Sequence, residues 1–169
     1  MQKTFYILSI VSVMIFSGLS CGIYSFTGAS ISPDIKTFSV QYFPNKATIV
    51  QPVLSQLFTD KLKEKFINQT SLSLTEKEGD LQFEGYISNY QTVPIAIQSS
   101  EQAAQNRLSI SVWVRFKNSK SPSNDFETTF TRYTDYSSSI NLTLVETDLI
   151  NEINRQIIDD IFNKAVVNW

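Results

Sequence analysis

Cys21 is the only thiol in this 169-residue chain, and it stands just behind an apolar run. One cysteine closes no internal disulfide and builds no cysteine-rich zinc site. The chain has no histidine, so the commonest general base and the commonest metal ligand are both missing. Ser-His-Asp and Cys-His catalysis are therefore excluded. A cysteine in this place can instead carry lipid. Lys3 makes the N-terminus positive, FYILSIVSVMIF at 5–16 carries no charged residue, and small Ser17, Gly18 and Ser20 precede the thiol. The run is too short to span a bilayer and suits the apolar part of a signal peptide. This order predicts a bacterial lipoprotein signal over 1–20, cut before an acylated Cys21. Gly18 holds the place where such signals usually carry leucine, and Leu19 follows one step later. The other reading is a plain secretory signal with a free, buried cysteine.

Acylation changes the physics of the whole chain. Each buried methylene contributes roughly 0.8 kcal/mol, so one acyl chain holds marginally and several hold lastingly. Loss of residues 1–20 removes Lys3 from 14 basic residues and leaves 13 against 16 acidic, a net charge of −3. That balance offers no basic face for nucleic acid. Gly22 is not the aspartate that retains many such proteins at the inner membrane, and no acidic run follows. The expected address is the outer membrane, lipid-anchored and facing the periplasm.

The remaining candidate chemistry is binding chemistry. Arg107, Arg115, Lys117, Lys120 and Arg132 can gather near one end of the hairpin formed by residues 107–136, where guanidinium and ammonium groups would bind phosphate. The alternative is an ordinary solvated hairpin. Trp113, set among Ser109, Ser111, Arg115 and Lys117, reads either as an interface anchor or as one aromatic on a wet sheet face. Glu76, Glu78 and Asp80 offer a weak calcium loop or, more simply, a solvated turn. Asp159 and Asp160 are adjacent, so a helix points them apart and they cannot act as a pair. A glycosidase would need two carboxylates across a cleft, and neither Glu84 nor Glu101 has such a partner in the pattern. Asn68 and Asn141 open glycosylation sequons, which are idle in a bacterial lipoprotein. No cofactor, metal site or enzymatic activity is expected.

The elements that must position these residues follow from periodicity. Residues 35–43 alternate, with Phe38, Val40 and Tyr42 on one face. From Thr48 to Asn68 the spacing of Val53, Leu54, Leu57, Phe58, Leu62 and Phe66 turns helical, with Thr48 and Gln51 as a candidate capping box and Pro52 suited to a first turn. Residues 81–91 alternate again, and Pro94 opens a predicted loop. Residues 107–117 are the clearest strand: Leu108, Ile110, Val112, Val114 and Phe116 face one way. Residues 125–136 form another strand. Thr143 and Glu146 suggest a second capping box before a helix whose Leu149, Ile150, Ile153, Ile157, Ile161 and Ala165 share one side. The predicted class is α+β: a two-layer sandwich of a four-stranded, mainly antiparallel sheet covered by two helices, in the order β-α-β-β-β-α. The chain divides into a signal peptide (1–20), a tether after the lipidated cysteine (21–34) and one domain (35–169).

With these elements in place, CGIYSFTGASISPDIKTFSVQYFPNKA (21–47) resembles the start of the LptE family, the lipopolysaccharide-assembly lipoproteins of Gram-negative outer membranes. The resemblance is strongest from Cys21 to Pro52, and the element order beyond agrees with the family's fold. It implies a protein that sits against or inside an LptD-like outer-membrane β-barrel, plugs it, helps it fold and contacts lipopolysaccharide. Cys21 is the one family position that transfers by motif. The competing reading from outside this family is another periplasm-facing lipoprotein, such as a pilot for a secretion channel.

Overall fold

A computed structural model of the chain describes residues 31–95 and 104–166. Its elements are β1 (Thr37–Val40), α1 (Leu54–Gln69), β2 (Ser73–Leu74), β3 (Leu81–Ile95), β4 (Gln105–Asn118), β5 (Phe126–Ser137) and α2 (Leu142–Val166). The class is α+β with two helices, but the sheet has five strands in the order β2-β1-β3-β4-β5. The expected four-stranded sheet missed β2, which at two residues is too short to show a period. The sheet is also mixed. β1 pairs in parallel with both β2 and β3, while β3, β4 and β5 form an antiparallel meander. The parallel pairs follow from α1, which returns the chain to the end from which β1 began.

Both helices lie on one face of the sheet. Along β4, Leu108, Ile110, Val112, Val114 and Phe116 are almost wholly buried against them, as the alternation requires. A run of aromatic rings ties the layers together. Phe66 of α1 meets Phe38, Phe83 and Phe162 with centroids 5.4, 4.6 and 5.1 Å away, and Phe83 continues to Phe116 at 5.0 Å. The α2 stripe from Leu149 to Ala165 is buried as predicted.

Several boundaries moved, each for a tertiary reason. The regular part of β1 ends at Val40, and Tyr42 is exposed instead of sharing the Phe38 face. Ser39, expected outside, is buried where Gly79 crosses it: the Gly79 amide donates to Ser39 Oγ at 3.3 Å. A Cβ on Gly79 would lie 2.5 Å from the Phe38 carbonyl carbon, so only glycine permits the crossing. α1 begins at Leu54, with Val53 exposed at its N-cap and no side-chain cap from Thr48. At α2 it is Asn141, not Thr143, whose Oδ1 accepts an amide of the first turn, from Thr143 at 3.1 Å. Glu146 instead accepts the Tyr90 hydroxyl. β3 runs past its expected end to Ile95. A bulge between Ile87 and Asn89 resets its phase, which keeps Tyr90 inside. Pro94 is tolerated because the regular β1 pairing stops at Phe83, leaving that side of β3 an edge there.

Candidate functional site

The helices leave the other face of β3, β4 and β5 uncovered among the described residues. It is polar, and its side chains interlock in rows across the strands. Glu84, Arg115 and Glu127 stand side by side in register. Arg115 donates to both acids, at 2.9 Å to Glu84 and 2.6 Å to Glu127. In the next row Tyr86 and Trp113 stack, centroids 5.3 Å apart and planes 26° apart. Lys46 Nζ lies 4.4 Å from the Tyr86 ring centre, and the Arg115 guanidinium 5.4 Å from that of Trp113. Cation, ring, ring and cation thus form a ladder near the middle of the face. Ser111 and Thr131 share a hydrogen bond of 2.8 Å beyond it. Farther along, Arg107 makes a two-pronged pair with Asp135 at 2.7 and 2.9 Å and lies 3.6 Å from the Tyr133 ring centre.

The candidate cations are therefore dispersed. Arg107 and Arg115 are eight positions apart on β4, roughly 26 Å of strand. Arg132 is on the opposite, helix-covered side, where it donates to Asp160 of α2 at 2.7 and 2.8 Å. Lys120 pairs with Asp80 at 3.2 Å, and Lys117 alone of the five has no ion-pair partner among the described residues. They do not form one basic cluster, because each arginine already faces a carboxylate across its own strand or helix. Those carboxylates hold the guanidinium groups of Arg107, Arg115 and Arg132 even more firmly protonated than usual. Trp113 does stand on the open polar face, and its position there now has neighbours: Tyr86 and Lys46, from segments too remote for any local pattern to pair.

Other candidates also resolve. Asp80 Oδ2 accepts the amides of Lys36 and Thr37 at 2.8 and 3.0 Å, so its carboxylate fastens β1 instead of facing Glu76 and Glu78. Asp159 and Asp160 point apart, one to Lys65 of α1 and the other to Arg132 of β5. Cys21 and Glu101 lie outside the described residues, as do the signal segment and most of the tether. No described helix is long and apolar enough to cross a membrane.

Similar structures share this architecture. One is a hypothetical protein from Chlamydia trachomatis, 10% identical, with a TM-score of 0.52 over 79% of this chain and 99% of that one. Another is a putative neuraminyllactose-binding hemagglutinin homolog from Helicobacter pylori, 10% identical, with a TM-score of 0.53 over 83% and 88%. A minor lipoprotein from Acinetobacter baumannii is 13% identical, covering 78% and 96%, with a TM-score of 0.49. At 10% identity the likeness to the first two concerns the fold alone, and nothing is argued from the third. No curated protein sequence matches the chain. The sequence signature described as LptE, lipopolysaccharide-assembly, matches residues 35–165, from the residues leading into β1 to the last turn of α2. The chain belongs to the LptE family of lipopolysaccharide-assembly proteins.

Proposed function

We propose that this protein is a non-enzymatic accessory subunit, lipid-anchored to the outer membrane through Cys21 and facing the periplasm. There it assembles with an LptD-like β-barrel and aids transport of lipopolysaccharide to the outer leaflet. The observation that carries the reading is the family match over nearly the whole folded domain. The open face supports it physically. A body seated in a barrel needs a firm polar surface to meet the polar lumen wall. The Lys46–Tyr86–Trp113–Arg115 ladder provides rigid aromatic area together with donors and acceptors, the mixture from which interface anchors are made. Glu84 is tied to Arg115, which suits a structural role for that acid.

Affinity purification from detergent-extracted membranes tests the proposal. A β-barrel protein should co-purify in fixed stoichiometry. Trp113→Ala should reduce its recovery by at least about ten-fold, as expected when an aromatic anchor is removed, while the melting temperature barely moves. Recovery without any barrel overturns the reading, and a secretion-channel subunit in its place favours the pilot alternative.

A further inference from the structure

β5 closes one side of the sheet, and its outer edge meets no other strand among the described residues. The phase of its pairing tells which backbone groups are free. The Ser138 amide donates to the Ala104 carbonyl at 3.0 Å, so the even-numbered residues of β5 turn their N–H and C=O toward β4. The odd-numbered ones, Glu127, Thr129, Thr131, Tyr133 and Asp135, turn theirs outward, and all five are exposed. Edges of this length are ordinarily blunted by lysine, proline, a bulge or a free charge. β5 has no Lys, Pro or Gly, and its register with β4 is unbroken. Its charges are held within their own molecule: Glu127 by Arg115 at 2.6 Å, Arg132 by Asp160 and Asp135 by Arg107, both at 2.7 Å. The opposite side of the sheet is guarded, since β2 has only two residues and the uncovered end of β3 carries Pro94.

An edge so open calls for cover, and its own sequence fits it. In an antiparallel pair of β5 strands with the two-fold axis at Phe130, the outward groups of Thr129 meet those of Thr131 in the second copy, and those of Glu127 meet Tyr133, each pair exchanging two N–H···O bonds. The half-buried Phe130 rings, which pack edge-on against Phe126 at 6.2 Å, meet at the axis in a close, non-hydrogen-bonded position. Charge and length select this register. Glu127 lies opposite a Tyr133 ring that already carries the Arg107 guanidinium 3.6 Å from its centre. An axis at Thr131 would set Glu127 directly against Asp135, one at Arg132 would bring two arginines together, and one at Thr129 would leave Tyr133 without a strand partner.

We infer that the β5 edge is a self-association surface: a second copy of this chain pairs with it antiparallel, and the two sheets run on as one. The short β2 edge cannot extend the array, so it closes as a dimer. The inference goes beyond the barrel reading and does not depend on it.

Sedimentation of the full-length protein in detergent, over a range of protein concentrations, tests it. The protein mass should rise to twice that of one chain. Thr131→Pro removes an outward N–H that makes no bond to β4, so the domain should keep its melting temperature while dimerisation weakens at least about ten-fold. Thr129→Lys places the customary guard charge on the edge, leaves every backbone group in place and should also weaken it about ten-fold. A single chain at every concentration, or a dimer indifferent to both substitutions, overturns the inference.

Discussion

At the scale of single residues, Asp80 shows how one carboxylate can fix a strand. Its oxygens accept the amides of Lys36 and Thr37 and the Thr37 hydroxyl, while its own amide donates to Thr37 Oγ1 at 3.0 Å. The Lys36 amide above all, helped by Lys120 and Thr37, lowers its pKa to about 2. A depressed carboxylate stabilises the fold fully above its unfolded pKa of about 4 and loses that contribution as pH falls toward 2. Urea denaturation should therefore show stability declining between about pH 4 and pH 2. Asp80→Asn should remove this part of the acid dependence and cost roughly 1–3 kcal/mol at neutral pH, where two amides lose their acceptor's charge. Asn154 teaches the complementary lesson. A polar residue inside the Ile150–Ile153–Ile157 stripe was visible in the sequence, yet periodicity alone cannot say that this amide is buried with neither end paired.

At the scale of elements, the antiparallel half of the sheet depends on a glycine. A Cβ at Gly85 would come within 2.1 Å of the Trp113 carbonyl oxygen and 2.6 Å of the Phe43 ring. Gly85→Ala must part β3 from β4 at Trp113 and displace Phe43 as well, and should cost about 3 kcal/mol or more, read as a lowered melting temperature. β4 and α2 were legible in the sequence because their large apolar residues all turn toward the other layer, although Ser109 and Ser111 on the opposite face of β4 are buried as well. β1 was legible as a strand with Phe38 and Val40 inside, but its outer face was not, because the Gly79 crossing buries Ser39 from the other side. β2 owes its existence to its neighbour β1, and its two residues carry no period. The end of β3 was hidden by Pro94, which ordinarily argues against a strand but is harmless on an edge. Trp113 was legible as an odd residue on a polar face, whereas the ladder around it depends on strand register and on a loop lysine forty residues before its ring.

At the scale of the molecule, the strand directions gather Lys36, Asp80, the β4–β5 turn and the C-terminal turn of α2 at one end, with Lys164 lying 5.0 Å from the Phe126 ring. The β3–β4 hairpin and the start of α2 occupy the other end. Cys21→Ser should release the protein into the soluble periplasmic fraction with an unchanged melting curve, checked by cell fractionation. A mutant that stays on the membrane with no partner would speak against the anchor. The fifteen residues of β3 then act as a ruler. From its first residue to its last, the strand extends roughly 50 Å, and in the proposed anchored protein at most about 35 Å of chain would join Cys21 to Ile31, beside the first-residue end. With the proposed anchor and that end turned to the bilayer, a companion held by the far tip would sit deep in the periplasm, while one gripped through the ladder halfway along would stay close to the bilayer.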